Sequence, residues 1–215
     1  MKEDMSLEAT PVEQTQRVNI IRHGLNLEYL TIAYNSLEGL IAIVAGFLAN
    51  SIALVGFGFD SVIEVTSGAA LLWRLHADLD EEWRERVEAI TLRIVGVCFL
   101  ALAVYVSYEA VSSLVHREPP ERSVPGILLA VASLIVMPVL ARAKRRVARG
   151  IDSGAMMADA RQTDFCTYLS AILLGGLLCN ALFGWWWADP LAALVMTPLI
   201  IKEGIEALRG ETCCD

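Results

Sequence analysis

The sequence predicts an all-α integral membrane bundle of six transmembrane helices, with both termini cytoplasmic. Three observations predict it. The chain is 55% hydrophobic with a mean hydropathy of +0.52, too apolar for an ordinary soluble domain of 215 residues. Several apolar runs approach 20 residues, the length that crosses a hydrocarbon core of about 30 Å. Lys and Arg are dense in every second connection and sparse in the others, as in a chain that threads a membrane repeatedly.

The elements follow in order. Residues 1–27 are polar (Lys2, Glu3, Asp4, Glu8, Glu13) and hold no apolar stretch of signal-peptide type, so they read as a cytoplasmic N-terminal segment. Helices are expected over about 29–49 and 52–75, joined by the short link Ala49-Asn50-Ser51 that makes them antiparallel neighbours. A third helix over 88–115 ends before Pro119, Pro120 and Pro125, which punctuate the link to a fourth over 124–142. Pro138 lies inside helix four as a candidate kink. A fifth helix over 154–183 and a sixth over 190–208 are joined by Trp185-Trp186-Trp187-Ala188-Asp189, whose tryptophans fit an outer interfacial belt. Trp73 fits the inner belt. The transmembrane domain is thus expected over 28–210, with 211–215 a short cytoplasmic tail. Orientation rests on Arg17, Arg22, Arg74, Arg84 and the run Arg142 to Arg149 on one side, against Arg117 and Arg122 alone on the other.

Charge excludes one class of partner. With 17 Lys and Arg against 25 Asp and Glu, the net charge is −8, which argues against nucleic acid. Five cysteines at irregular spacing do not suggest a disulfide framework. Cys98 and Cys179 read as small apolar packing residues. Cys213 and Cys214 lie in the tail, either frayed or placed to capture soft metal. His23, His76 and His116 fall in or near connections, where solvated surface roles fit them best. Arg142-Ala-Lys144-Arg145-Arg146 reads as a topology signal and a contact for anionic lipid. No Ser/His or His-x-x-x-His arrangement lies at membrane depth, which argues against an intramembrane hydrolase and for a protein that is not an enzyme.

Chemistry concentrates in helices two and five. Asp60 and Glu64 stand i, i+4 inside the apolar run Ile52 to Gly68, so they share one face. A charge near the bilayer centre costs about 2.5–3.5 kcal/mol, and two on one face also repel. A cation or proton sharing the site relieves both costs. A structural ion pair with Arg93 or Arg161 is the plainer alternative, although one Arg serves two carboxylates poorly. Helix five opens Asp159-Ala-Arg161-Gln162-Thr-Asp164-Phe-Cys166, in which Asp159, Gln162 and Cys166 at i, i+3, i+7 share a face. Asp164 points elsewhere, toward Arg161 or another helix. Two helices each giving two donors one turn apart make a tetrahedral site of the kind that suits zinc and its chemical neighbours. Glu64 is 13 residues past Ser51 and Cys166 14 before Asn180, about 20 Å in each case, so the two can meet at one level. Gln162 is read either as a ligand or as a hydrogen-bond partner of bound water. Asp159 is read as a further ligand or as a carboxylate at the helix start that supports the ligands. Glu38 and Glu109 also interrupt apolar runs, and Glu38 is a candidate proton relay.

These motifs together resemble the cation diffusion facilitators over most of residues 29–210. Asp60-Ser-Val-Ile-Glu64 is similar to the family's Asp-x-x-x-Asp or His-x-x-x-Asp in helix two, and Ala158-Asp159-Ala-Arg-Gln162-Thr-Asp-Phe-Cys166 to its Ala-Asp-x-x-His-x-x-x-Asp in helix five. Asp189-Pro190-Leu-Ala-Ala-Leu, Glu203-Gly204 and Asn35-Ser-Leu-Glu-Gly are also similar. The departures are Gln162 for His and Cys166 for Asp, which point to a softer metal or to fewer protein ligands, with Asp159, Asp164 or water completing the shell. A soluble metal-binding domain common after helix six in the family is not found, so a short form is expected. The resemblance implies a proton-coupled antiporter that exports a divalent transition metal through a site between helices two and five. Zinc leads as cargo, with cadmium, cobalt, iron and manganese behind it. The resemblance also implies a homodimer in the cell (inner) membrane, in contact with lipid. A membrane-embedded metal-binding or scaffold protein that does not transport is the alternative.

Overall fold

In an apolar solvent every backbone N–H and C=O must be satisfied within the chain, which leaves the helix as the natural element for long apolar runs. A computed structural model describes residues 11–76, 81–151 and 154–209. Among them are six helices and no strand: α1 (Pro11–Ala49), α2 (Ile52–His76), α3 (Glu81–His116), α4 (Val124–Ile151), α5 (Gly154–Phe183) and α6 (Ala188–Arg209). The tail with Cys213 and Cys214 lies outside the described residues.

Three helices overrun the apolar stretches that announce them. α1 begins at Pro11 rather than near 29, α3 at Glu81 rather than 88, and α4 continues to Ile151 rather than 142. The extensions are rich in Glu, Gln and Arg, good helix formers that need no lipid. Hydropathy marks the membrane, whereas the helix follows propensity and caps. Five helices contain a segment long and apolar enough to cross a membrane: 19–49, 52–73, 92–116, 124–150 and 159–183. α6 carries Asp189, Lys202 and Glu203 within its 22 residues, yet at 1.5 Å per residue it is about 33 Å long, enough to span. The chain is a multi-pass integral membrane protein.

The caps are specific. Asn50 takes a left-handed conformation at φ 50° between α1 and α2. Ser51 then caps α2, its Oγ accepting from the Leu54 N–H at 3.2 Å. Asp189 of α6 completes that cap from another helix. Its Oδ2 accepts from the N–H groups of Ile52 at 2.9 Å and Ala53 at 3.4 Å, while its Oδ1 accepts from the Ser51 hydroxyl. A carboxylate at a helix N-terminus meets free donors and the positive end of the dipole. Ser123 caps α4 in the same manner, accepting from the Gly126 N–H at 3.1 Å.

α1 pairs with α2, α4 with α5, and α3 with α6; α1 also packs on α4, and α2 on α5. Helices α1, α2, α4 and α5 thus form a four-helix group, and the α3–α6 pair leans against α2, with α6 also on α5. The interior holds Leu54, Phe57, Met137, Leu169, Leu173, Met196 and Ile200, each fully buried, while Leu37, Leu48, Val104, Ile135 and Leu182 face outward as in a lipid-solvated bundle. Hydrocarbon gives no hydrophobic reason for helices to associate, so close backbone approach matters more. At Gly46 an added Cβ would lie 2.8 Å from the Val55 backbone nitrogen, and at Gly96 it would lie 2.8 Å from the Gly204 carbonyl oxygen. Backbone cannot move aside as a side chain can. Gly46→Ala and Gly96→Ala should each cost about 1–3 kcal/mol, the usual penalty of overpacking. Gly175→Ala, where nothing lies within 4 Å, should be neutral or slightly stabilising. Thermal unfolding of the three variants in detergent checks the ordering.

Candidate metal centre

The buried face of α2 presents Asp60 and Glu64, 3% and 2% exposed, and the facing surface of α5 presents Cys166, 1% exposed. Their donors converge: Cys166 Sγ lies 3.2 Å from Asp60 Oδ2 and 3.1 Å from Glu64 Oε2, and the thiol has one hydrogen to share between them. Thr163, one turn before Cys166, donates from its hydroxyl toward Glu64 Oε1 at 3.2 Å or toward its own helix at the Asp159 carbonyl, 3.1 Å away. Two carboxylates and a thiol in an apolar interior repel unless protons or a cation occupy the space between them.

Among the described residues no three His, Cys, Asp or Glu side chains stand as a ready-made metal cage. Ligands must lose their protons to bind a metal, so the short S–H···O contacts are those that a bound cation would replace. Two oxygens and a sulfur form a mixed hard and soft donor set.

The remaining helix-five residues divide. Thr163 rather than Gln162 lies on the face toward α2: the buried stripe of α5 runs Asp159, Thr163, Cys166, Ser170, and Gln162 sits on its flank, half-buried. No hydrogen bond joins Gln162 to the carboxylates, and its Nε2 is buried without a partner. Asp159 is held by Lys144 of α4, which also lies 3.3 Å from Glu28 Oε1 of α1. Asp164 pairs with Arg145 of α4 at a half-exposed position, not with Arg161. Arg93 and Arg161 are exposed and form no described ion pair with Asp60 or Glu64.

Lys144 departs from the reading of its segment as a topology signal and a contact for anionic lipid. Its side chain is fully buried, as is that of Glu28, and Asp159 is 6% exposed. The signal was present in spacing: Met137, Ala141, Lys144 and Val147 step along one buried face of α4. Arg142 and Arg146, off that stripe, remain exposed. Thr163 also escaped notice, because a neutral hydroxyl in a helix gives no charge signal.

A bundle of this kind, with acidic and thiol donors meeting between two of its helices, belongs among membrane proteins that handle cations. The family model "Cation efflux transmembrane domain" matches residues 29–211, and the chain belongs to that family of transporters, the cation diffusion facilitators. The cadmium, cobalt and zinc/H+–K+ antiporter of Bacillus velezensis is 27% identical over 203 residues, covering 86% of this chain and 62% of the antiporter. An uncharacterized transporter of Methanocaldococcus jannaschii is 25% identical over 183 residues, covering 82% of this chain and 64% of its own. Transmembrane protein 163 of Xenopus laevis is 25% identical over 203 residues, 93% of this chain and 71% of its own. This chain therefore spans less than two thirds of the length of the first two.

The ion cluster makes a prediction of its own. Lys144→Met leaves Glu28 and Asp159 buried and uncompensated, and should cost about 3–5 kcal/mol. Adding Glu28→Gln and Asp159→Asn to that variant should recover most of the loss. Chemical or thermal unfolding in detergent distinguishes the single from the triple variant.

Proposed function

We propose that the protein is a proton-coupled antiporter that exports a divalent transition metal from the cytoplasm across the cell (inner) membrane, with zinc as its leading cargo. Cadmium, cobalt, iron and manganese are the other candidates. The convergence of Asp60, Glu64 and Cys166 between α2 and α5 carries this reading. The names of the Bacillus relatives support both halves of it, metal and counter-ion.

The mechanism follows from the donor set. Without metal, protons hold the two carboxylates and the thiol together. An arriving divalent ion displaces them, since its charge neutralises both carboxylates at once and a thiolate adds a soft third ligand. Protons entering from the outer side reverse the exchange and release the metal. Alternating exposure then requires one group of helices to rock against another around the fixed site, and the division into a four-helix group and the α3–α6 pair supplies two bodies that can do so. Thr163 orients Glu64; Gln162 and Asp159 serve from outside the donor triangle, Gln162 by bonding metal-bound water and Asp159 by holding Lys144. The Arg-rich connections support cytoplasmic termini, and family likeness supports a homodimer as the working unit.

Metal uptake into proteoliposomes under an imposed pH gradient tests the reading, with zinc, cadmium, cobalt and manganese compared. Gradient-dependent uptake is expected, falling by about tenfold or more in Asp60→Ala, as for the loss of a group that holds a metal. Binding without flux would instead make the protein a membrane-embedded metal-binding scaffold. Cys166→Asp should shift preference from cadmium toward harder ions such as manganese. An unchanged preference removes Cys166 from the ligand set.

A further inference from the structure

Next to the metal centre, on the side of the Arg-rich connections, lies a layer of charge that the mechanism above leaves without a task of its own. On α2, Gly68 stands one turn past Glu64; on α5, Asp159 stands one turn before Thr163. Between them sit Glu28 of α1 and Lys144 of α4. A Cβ added at Gly68 would lie 3.5 Å from Glu28 Oε2. Lys144 Nζ donates to that same oxygen at 3.4 Å and to Asp159 Oδ2. All four helices of the four-helix group thus meet in this layer, about 5 Å along the bundle from Glu64 and Thr163. Its three charged side chains are buried. Beyond it, toward the Arg-rich connections, Val147 and Met156 close on Gly24, where an added Cβ would lie 2.9 and 3.2 Å from them.

The two sides of the metal centre are closed by different chemistry. Toward the opposite side the interior is filled by Leu54, Phe57, Leu169 and Leu173, all fully buried. Parting those side chains puts apolar surface into water, and nothing offsets that cost. An ion cluster behaves otherwise. Its members regain hydration when they separate, which offsets most of the attraction that held them together. The charged layer is therefore the closure that water can enter most easily. Its two carboxylates outnumber its one ammonium, so it does not repel an approaching cation as a lone lysine would.

We propose that Glu28, Lys144 and Asp159 form an ion-pair gate that closes the Asp60–Glu64–Cys166 centre to the Arg-rich side. Lys144 is the bolt: an ammonium carries three N–H donors, and this one ties α4 to α1 and to α5 through a single group. Release of its carboxylates lets the ends of these helices part and admits water to Thr163 and then to Cys166. The parting is local, and separate from the rocking of whole helix groups. The closure itself requires neither metal nor transport; its service as the cytoplasmic gate of an exporter rests on the function proposed above.

Thiol labelling from one side at a time tests the gate. The full chain carries Cys98→Ala, Cys179→Ala, Cys213→Ser and Cys214→Ser, which leaves Cys166 as its sole thiol, and it sits in membrane vesicles of known orientation. A membrane-impermeant cationic thiosulfonate is added to one side or the other, without metal. With Lys144 in place, Cys166 is expected to react slowly from both sides. Lys144→Met should raise the rate severalfold from the Arg-rich side and leave the rate from the opposite side unchanged. A rise from both sides alike marks a bundle loosened as a whole and overturns the gate, as does an unchanged rate or a rise from the opposite side alone. If Lys144→Met does not fold, the triple variant with Glu28→Gln and Asp159→Asn takes its place, because it leaves no buried charge uncompensated. The same one-sided rise is expected of it, and the same outcomes overturn the gate. The readout uses no flux, so a protein that failed to transport metal would leave this result standing.

Discussion

Charge buried inside a lipid-solvated bundle must be answered from within the bundle, and this constraint organises the molecule. Glu28, Glu38, Asp60, Glu64, Lys144, Asp159 and Asp189 are all buried. Each answer crosses between helices. Lys144 ties α4 to α1 and α5. Cys166 and Thr163 tie α5 to α2. Ser61 ties α2 to α1, and Asp189 ties α6 to the start of α2. Lipid tails are as apolar as leucine, so hydrophobicity alone does not choose helix partners. These polar contacts, with the glycine approaches at Gly46 and Gly96, do.

The same contacts join the metal centre to the ion cluster beside it. Thr163 stands between them, its hydroxyl within reach of the Glu64 carboxylate and of the Asp159 carbonyl. Asp159 in turn holds Lys144. Interactions in a low dielectric fall off slowly, so the Lys144 ammonium helps the bundle tolerate negative charge at Glu64. In the proposed exchange, the arrival of a divalent ion would change that balance, and the balance of the contacts that lock α1, α4 and α5 together. On that proposal, cargo binding and helix packing would draw on the same groups, as a site that must open to two sides requires.

The fold was largely legible. Six helices were expected and six are present among the described residues, because apolar runs between Pro, Gly and Ser punctuation leave few other choices. Their ends were not legible from hydropathy, since α1 and α3 extend as polar helices beyond their apolar stretches. Asp60, Glu64 and Cys166 were legible as a set because each breaks an apolar context at helical spacing. On α5 the spacing argument passed over Thr163, whose hydroxyl reaches Glu64, while Gln162 lies one position away on the flank; a helix rotates about 100° per residue, so sequence neighbours face different surroundings. Lys144 was hidden by its neighbours. In a run of five residues with four positive charges, composition speaks for the headgroup region, and only the register with Met137 and Ala141 reveals that one of the four turns inward.

Cys166 concentrates the chemical character of the centre. An aspartate there would bring a third carboxylate to a pocket that already holds two, and more hard oxygen to whichever ion enters. A thiol adds no charge until it loses its proton, so it brings less repulsion to the site, and its S–H lies within hydrogen-bond reach of both carboxylates. Once deprotonated it offers polarizable sulfur, which favours zinc and cadmium over manganese and magnesium. In the proposed exchange, the thiol would act on both halves, easing the proton-filled state and softening the metal-filled one. Gln162 fits the same logic. A neutral amide on the flank adds neither charge nor a strong ligand, and leaves discrimination among cations to the two carboxylates and the sulfur between them.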